Sequence, residues 1–187
     1  MTKPSLQKLK TPGAYALKLK KNSDERGSFV ESFRSSWSTD LNVEWGFLQD
    51  GISISGKNVL RGMHYQIEAP KAHLVQLAGG YIIDVGLDMR MNSPRFGMAE
   101  AIELSSEDPT AVFWPAGVAH GFLALGSRNI VIYKSTGYRV AEDEAGVSWR
   151  DGSVIQFWPE SISPIISRRD RELPLLSQIP DDSLPKV

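Results

Sequence analysis

Apolar and polar residues alternate with a period of two along most of the chain, which predicts short β-strands. The clearest run spans residues 81–90. One face of that run carries Tyr81, Ile83, Val85, Leu87 and Met89, and the other carries Ile82, Asp84, Gly86 and Asp88. Further strands are expected at 14–20, 28–33, 45–55, 59–65, 74–77, 97–104, 111–114, 121–124 and 129–135. About ten short strands separated by Gly, Pro and Asn are typical of an all-β sandwich or barrel.

Three segments depart from plain alternation. Residues 36–41 predict a short helix. In the run 28–33 a carboxylate, Glu31, shares a face with Phe29 and Phe33, which fits either a bent edge strand or a ligand contact. Prolines recur from Pro159 onward and predict an irregular C-terminal tail. We therefore expect a single domain over residues 1–187, with 172–187 loosely attached.

The composition narrows the class of protein. The chain has 187 residues, a formal net charge of −1 and a pI near 6.3, so nothing favours a nucleic-acid or membrane partner, although local basic groups could bind phosphates. It has no cysteine, which excludes disulfides, thiolate metal sites and a cysteine nucleophile. Residues 1–10 lack the apolar stretch of a signal peptide, and no apolar run approaches a membrane span. We expect a soluble, cytoplasmic protein.

Two of the three histidines lie in short motifs that read as strands. His64 belongs to Arg61-Gly62-Met63-His64-Tyr65-Gln66, where neighbouring polar groups favour a site over a satisfied core histidine. His120 ends Pro115-x-Gly117-x-x-His120, which resembles the second motif of the cupin superfamily. Together with His73 they could form a three-histidine metal site. The paired histidines and glutamate of metal-binding cupins are missing, so we expect no metal.

Tyr133 and Asp170 each admit two interpretations. Tyr133 alternates with Val131 and Ser135 and could be a core tyrosine with a satisfied hydroxyl. Asp170 follows two arginines after the predicted strands end, so it could belong to a solvated charge run. Spacing alone does not assign either residue to a site.

Eight separated motifs, taken jointly, resemble the dTDP-4-dehydrorhamnose 3,5-epimerase family of cupin barrels. Their order and spacing fit over roughly residues 10–170. The motifs are Asp24-x-Arg26-Gly27-x-Phe29-x-Glu31, Phe47-x-Gln49, Val59-Leu60-Arg61-Gly62-Met63-His64-Tyr65-Gln66, Asp84-Val85-x-Leu87-Asp88-x-Arg90, Ser93-Pro94-x-Phe96-Gly97, Pro115-x-Gly117-x-Ala119-His120-Gly121-Phe122, Tyr133-Lys134 with Tyr138, and Ser167-x-Arg169-Asp170.

The resemblance implies a cupin-type jelly roll (double-stranded β-helix), a homodimer without metal or other cofactor, and a nucleotide-linked 4-keto-6-deoxy sugar as substrate. His64 would be the general base, Asp170 its partner and Tyr133 the acid on the opposite ring face. Arg61 and His120 would line the sugar and diphosphate region, and Arg169 belongs to the same matching motif as Asp170. The nucleotide site, partly across the dimer interface, would contain Arg26, Phe29, Glu31 and Gln49, with Tyr138 stacking on the nucleotide.

The chemistry of such a sugar explains why these residue types are needed. The hydrogens at C3 and C5 flank the C4 ketone and are acidic for C–H bonds. A histidine whose second nitrogen is held by an aspartate can remove them. The resulting enolate needs a cation or hydrogen-bond donors at its oxygen. Reprotonation from the other face requires a separate acid.

Two positions depart from the family pattern. The family usually has lysine where this chain has His73, close to an aspartate that matches Asp84. We hypothesise that Asp84 keeps His73 protonated, so that an imidazolium replaces the ammonium; alternatively Lys71, on the same strand face, reaches in. The family usually has asparagine where this chain has Gly51.

These departures leave several functions open. The sequence favours an isomerase acting at C3 and C5 of a dTDP-4-keto-6-deoxyhexose in rhamnose-type deoxysugar biosynthesis. A mono-epimerase acting at C3 or C5 alone is the nearest alternative. A metal-dependent cupin oxygenase using His64, His73 and His120, or a catalytically silent sugar-nucleotide binding cupin, would belong to a different class.

Overall fold

The computed structural model describes residues 3–41 and 45–187, and it is built almost entirely from β-strands. Within these residues the two α-helices, α1 (Trp37–Leu41) and α2 (Arg168–Arg171), are single short turns. The strands in chain order are β1 (Ser5–Lys8), β2 (Tyr15–Lys18), β3 (Lys21–Asp24), β4 (Gly27–Val30), β5 (Gln49–Gly56), β6 (Leu60–Gln66), β7 (His73–Gly79), β8 (Tyr81–Asp88), β9 (Ala99–Ser105), β10 (Thr110–Trp114), β11 (Val118–Ala124), β12 (Arg128–Ser135) and β13 (Glu144–Gly146).

The strands form two main antiparallel sheets and one separate hairpin. The six-stranded sheet has the order β1-β2-β10-β7-β12-β5, and the five-stranded sheet has the order β13-β6-β11-β8-β9. Strands β3 and β4 pair only with each other among the described strands. The predicted all-β fold with short helical segments and an irregular C-terminal segment is confirmed.

The apolar faces of the two main sheets pack against each other. This interior core is formed by side chains from both sheets, with Trp114 and Val131 from the six-stranded sheet and Phe122 and Ile82 from the five-stranded sheet, all fully or almost fully buried. Alternation along each strand directs these side chains inward. The interior core fills part of the space between the sheets and leaves the rest open as a cavity.

The outer face of each main sheet is covered as well. On the six-stranded sheet, Trp37, Trp45 and Phe47 lie over buried Leu17 and Leu74, so the predicted strand 45–55 begins only at Gln49. The five-stranded sheet is covered by the segment that follows β13 and that contributes buried Val147, Val154, Trp158 and Leu184.

The end of the chain is packed against β6, which differs from the expectation of a loosely attached tail. Leu184 is buried in the outer core, the Tyr65 hydroxyl donates to the Ser183 carbonyl at 2.9 Å, and the Lys186 N–H donates to the Ile67 carbonyl at 2.8 Å. Prolines correctly indicated an irregular backbone, but sequence spacing could not show that apolar side chains in it complete a core.

The hairpin β3–β4 corrects one detail of the sequence interpretation. Phe29 is 68% exposed, so the residues of run 28–33 do not point into the interior of the barrel as their shared face suggested. Instead Phe29 lies at the surface, on a hairpin that pairs with no other described strand. Such an exposed aromatic side chain is typical of a surface that contacts another molecule.

Two glycines allow β6 and β11 to approach each other very closely. Gly62 has φ +109°, and a Cβ built on it would lie 2.5 Å from the Gly121 Cα and 2.6 Å from the His120 carbonyl oxygen. The pairing register shifts between His120 and Phe122 at this point, and His120 lies directly opposite His64. The close approach therefore places two site histidines side by side.

In the part of the chain that the structure describes, no helix has the length and apolar character needed to cross a membrane. Helix α1, the longer of the two α-helices, has five residues.

Replacing Gly62 should destabilise the fold strongly. We expect Gly62→Ala to lower the free energy of unfolding by about 3 kcal/mol, because the new Cβ meets backbone atoms and the residue has a positive φ. Gly56→Ala is a suitable control, since no atom lies within 4 Å of its added Cβ; its effect should stay within about 0.5 kcal/mol. Denaturant unfolding measures both. Equal effects in the two variants would contradict this interpretation.

Candidate active site

A cavity of about 730 Å³ lies between the two main sheets and opens to solvent. Its volume is in the range of small-molecule binding sites. Of the residues singled out from the sequence, eight line it: Arg61, His64, Lys71, His73, His120, Tyr133, Arg169 and Asp170. The fold thus brings together side chains that are widely separated along the chain.

His64 and Asp170 form a hydrogen-bonded pair on the wall made by the five-stranded sheet. The His64 Nε2 lies 2.9 Å from Asp170 Oδ1. Because an ionised carboxylate can only accept, this contact assigns the ring proton to Nε2 and leaves a lone pair on Nδ1. His64 is therefore arranged as a base whose free nitrogen is Nδ1.

Several hydrogen bonds fix the position of Asp170 and stabilise its negative charge. It belongs to helix α2, where Ser167 caps the helix by accepting from the Asp170 N–H at 3.0 Å, and the Gly62 N–H donates to Asp170 Oδ2 at 3.4 Å. Burial opposes the charge, but the hydrogen bonds, chiefly that with His64, outweigh it and keep the pKa of Asp170 below its usual value. Asp170 is therefore ionised at neutral pH.

Tyr133 lies on β12, in the opposite sheet. Its hydroxyl is 2.9 Å from the Ser53 Oγ on neighbouring β5. Burial is the largest influence on this phenol and raises its pKa; the Ser53 hydrogen bond and the Arg61 charge lower it, and the Asp84 charge raises it. With the pKa raised overall, Tyr133 keeps its proton at neutral pH and can serve as an acid.

Asp84 is fully buried behind the cavity wall and binds two partners. Its carboxylate oxygens lie 2.7 Å from the His120 Nε2 and 2.7 Å from the Trp114 Nε1. The expectation that Asp84 pairs with His73 is therefore wrong. Strand alternation grouped Asp84 with Ile82 on one face of β8, and β11, not β7, is the neighbour of β8 in the sheet.

His73 has different surroundings from those expected. Its Nδ1 lies 3.0 Å from the hydroxyl of Ser135, the residue directly opposite it on β12. Burial, reinforced by the neighbouring His120 and Lys71, lowers the pKa of His73 to about 3. His73 is thus a neutral imidazole near pH 7, so the hypothesis of an imidazolium at this position is wrong.

Four basic side chains line the cavity. They are Arg61, Lys71, Arg139 and Arg169, and burial lowers the pKa of Lys71, with opposing effects from Glu144 and Arg139. Arg61 also donates from Nε to the Ser55 hydroxyl at 3.1 Å. Such a cluster matches the charge of a diphosphate.

Glu144 is an acidic residue of this cavity that sequence reasoning missed. Its carboxylate lies 2.7 Å from Arg139 and 3.3 Å from Arg169, and Oε1 is 3.7 Å from the His64 Nδ1. It comes from the short strand β13, which pairs with β6 beside His64. The sequence analysis also missed Ser53, Ser135 and Arg139. Ser53 lies on β5, next to the strand of Tyr133, and Ser135 lies on β12 itself. An inward position on these two strands could have indicated both serines.

The remaining predicted residues lie outside the cavity in this single chain. Arg26 pairs with Asp24 on the exposed hairpin, and Glu31 pairs with Arg34. Phe29 and Glu31 line a separate shallow groove. Gln49 accepts from the Arg139 N–H at 3.0 Å, next to the cavity, and Tyr138 is 65% exposed.

The three histidines do not form a shared metal site. Each has its own protein partner: Asp170 for His64, Ser135 for His73 and Asp84 for His120. Among the described residues, no group of three His, Cys, Asp or Glu side chains is arranged to hold a metal ion. The geometry therefore does not support the metal-dependent alternative.

The fold and the site together define a jelly-roll barrel with an acid–base site between its sheets. A family model described as dTDP-4-dehydrorhamnose 3,5-epimerase matches residues 8–178. The curated relative of that name from Methanothermobacter thermautotrophicus is 39% identical over 170 residues, 90% of this chain and 92% of that protein. A relative of the same name from Neisseria gonorrhoeae is 38% identical over 85% of this chain but only 48% of its own length.

Solved structures agree with these relatives. The epimerase RmlC from Legionella pneumophila, in complex with dTDP-4-keto-L-rhamnose, has a TM-score of 0.92 at 32% identity and covers 98% of both chains. A double mutant of ChmJ, a 3′-monoepimerase from Streptomyces bikiniensis, in complex with dTDP has a TM-score of 0.88 at 29% identity, over 96% of this chain and 92% of that one. The chain belongs to the dTDP-4-dehydrorhamnose 3,5-epimerase family, and the prediction of a cupin jelly roll is confirmed.

Removing the Asp84 carboxylate should be costly for folding. We expect Asp84→Ala to lower the free energy of unfolding by about 3 kcal/mol, because it leaves the buried Trp114 and His120 N–H groups without an acceptor. Asp50→Ala is the control: it also removes a carboxylate paired with a cation, Lys134, but at a site where Asp50 is 61% exposed, so the loss should be below about 1 kcal/mol. Denaturant unfolding at neutral pH compares them; similar losses would contradict the assigned role.

Proposed function

We propose that this protein is an isomerase that inverts C3 and C5 of a dTDP-4-keto-6-deoxyhexose, converting dTDP-4-dehydro-6-deoxyglucose to dTDP-4-dehydrorhamnose. The observation that carries the proposal is the placement of a histidine–aspartate pair and a protonated tyrosine on opposite walls of one cavity. The names of the relatives, including the Legionella complex with a product-type ligand, support this substrate class.

Proton removal falls to His64. Its Nδ1 takes the hydrogen from C3 or C5, and the electrons of the broken C–H bond move into an enolate whose charge rests on the C4 oxygen. Asp170 keeps Nε2 protonated and stabilises the imidazolium that forms. The Glu144 carboxylate, 3.7 Å from Nδ1, adds to this stabilisation.

Proton return falls to Tyr133. The phenol gives its proton to the same carbon from the opposite ring face, which inverts that carbon, and the enolate collapses to the ketone. The tyrosinate and the imidazolium then exchange protons with solvent to restore the starting state. One proton leaves and one arrives, so the reaction is redox-neutral and we propose that it needs no cofactor.

The enolate oxygen requires donors placed before the reaction begins. His120 is held by Asp84 in the cavity wall between His73 and Tyr133, with ring centroids 6.1 Å from each. The buried Asp84 carboxylate fixes the orientation of the His120 ring there. In this proposal Asp84 acts through His120, and not through His73 as the sequence analysis expected.

The rest of the substrate would extend along the basic side chains that line the cavity. Arg61, Arg169 and Lys71 are placed to bind the diphosphate. Beyond them, Gln49 and the exposed Tyr138 would contact the nucleotide. Arg26, Phe29 and Glu31 lie on or beside the hairpin β3–β4, and we propose that they complete the nucleotide site of a second subunit.

That arrangement requires a homodimer. The exposed Phe29 on the hairpin, and the exposed Ile52 and Ile54 on edge strand β5, offer apolar surface for such a contact. We propose a homodimer in which each hairpin reaches toward the partner's cavity. A cytoplasmic location, expected from the sequence, stays a prediction.

A mono-epimerase acting on a related sugar is the second candidate. It is favoured by the structural similarity to the 3′-monoepimerase ChmJ and by the two positions, His73 and Gly51, that depart from the family pattern. Gly51 lies directly opposite Tyr133, and a Cβ there would come no closer than 3.8 Å to the Tyr133 ring. The smaller residue leaves space beside the acid.

Solvent-hydrogen exchange separates these functions. The purified protein is incubated with dTDP-4-keto-6-deoxyglucose in D₂O, and deuterium at C3 and C5 is followed by NMR. We expect deuterium at both carbons with inverted product. Deuterium at one carbon would establish the mono-epimerase, and no exchange at either carbon would contradict both.

Variants of the acid and the base should fail differently in the same assay. His64→Ala should abolish exchange at both carbons, because no base remains. Tyr133→Phe should keep exchange on the His64 face while formation of inverted product falls by about 10²–10³-fold. If Tyr133→Phe lost exchange and inversion equally, the separation of roles would be wrong.

Complementation tests the shared site. Arg26→Ala and His64→Ala subunits, each inactive alone, are co-expressed with different tags and purified as mixed dimers. If Arg26 serves the partner's cavity, one site per mixed dimer is intact and about half the wild-type turnover returns, from simple counting of sites. If Arg26 serves its own chain, both sites are defective and the mixture stays inactive.

A further inference from the structure

His73 is the cavity residue whose surroundings differ most from those expected. It begins strand β7 in the six-stranded sheet, on the same sheet as Tyr133 and across the cavity from His64. Its ring lies next to His120, with ring centroids 6.1 Å apart. It is therefore among the groups that surround the reacting part of a bound sugar.

The Ser135 hydroxyl selects one tautomer of His73. Ser135 is 6% exposed, and within the described residues its hydroxyl has one hydrogen-bond partner, the His73 Nδ1 at 3.0 Å. If Nδ1 carried the proton, the buried hydroxyl hydrogen would be left without an acceptor, which is costly. The hydroxyl therefore donates to Nδ1, and the ring proton is on Nε2.

The charges around His73 favour a neutral ring. The groups facing it from packed elements are the Lys71 ammonium two residues earlier, His120 on β11, and the Tyr133 phenol on β12. Asp84, the nearby carboxylate, is already bound by His120 and Trp114. Burial, followed by the neighbouring His120 and Lys71, lowers the pKa of His73 to about 3, in agreement with the geometry.

We propose that His73 is a catalytic residue that stays neutral and donates a hydrogen bond from Nε2–H to the C4 oxygen of the substrate, with Ser135 as the positioning residue that fixes its tautomer. The inference rests on the proposed function and specifies how its oxyanion is held. A neutral imidazole can serve as such a donor because the acidity of its N–H is closer to that of an enol than the acidity of an imidazolium is. His120, which is oriented by Asp84, lies beside His73, and His73 supplies the directed hydrogen bond.

Nitrogen NMR tests the protonation state without any substrate. The chain has only three histidines, so ¹⁵N-histidine labelling with long-range ¹H–¹⁵N correlation gives three ring patterns, which single variants assign. We expect His73 as the neutral Nε2–H tautomer from pH 5.5 to 8. Ser135→Ala should mix the two neutral tautomers. An imidazolium, or an Nδ1–H tautomer in the wild type, would overturn the proposal.

Kinetics test the donor itself. His73→Gln places an amide N–H close to the position of Nε2–H, whereas His73→Leu has a similar volume and no donor. In the D₂O assay we expect His73→Leu to lower kcat by about 10²–10³-fold with little change in KM, and His73→Gln to stay within about tenfold of wild type. Thermal unfolding of both variants shows that each is folded.

The possible outcomes distinguish a failure of the role proposed for His73 from a failure of the proposed epimerase function. Wild-type exchange combined with equal losses in His73→Gln and His73→Leu would overturn the role of His73 and leave the epimerase intact. An unchanged kcat in folded His73→Leu would do the same. Absence of exchange in the wild type would overturn the proposed function, and with it any role of His73 in that reaction.

Discussion

The hydrogen bond between His64 and Asp170 joins two parts of the chain that are 106 residues apart. One partner lies on a strand of the five-stranded sheet, and the other lies on a single helical turn in the segment that covers the outer face of that sheet. The Gly62 N–H donates to the Asp170 carboxylate, and the same glycine lets β6 and β11 approach closely because a Cβ there would meet the backbone of β11. The segment that covers the outer face of the five-stranded sheet, the close pairing of β6 with β11 and the position of His64 therefore depend on one another.

The two-sheet construction separates the chemical roles. His64 and His120 belong to one sheet, and His73 and Tyr133 belong to the other. The proposed reaction uses a base and an acid on opposite ring faces, and a sandwich with a cavity between its sheets can hold the two groups on facing walls. Hydrogen bonds with Asp170, Ser135 and Asp84 keep three imidazole rings in different environments, and chemically identical side chains can therefore take different roles.

The sequence predicted the features that depend on the local alternation of apolar and polar residues, such as the positions of the strands. Alternation located most of the strands and showed which residues share a face with Asp84. It could not show that β11 is the strand beside β8, so the expected partner of Asp84 was wrong. The exposure of Phe29 was missed because a shared face does not reveal whether a hairpin packs on the body. Glu144 lies in a three-residue strand, too short to carry a periodic signal.

The interior core has a second consequence beyond stability. Trp114, Phe122 and Val131 fill the gap between the sheets and so act as a spacer that sets how far the base stands from the acid. Packed sheets are about 10 Å apart, and proton transfer tolerates errors of only a fraction of an ångström. Conservative changes in this spacer would shift the reacting groups relative to each other while leaving each intact. The distance between His64 and Tyr133 therefore depends on the apolar packing between the sheets as well as on the two residues themselves.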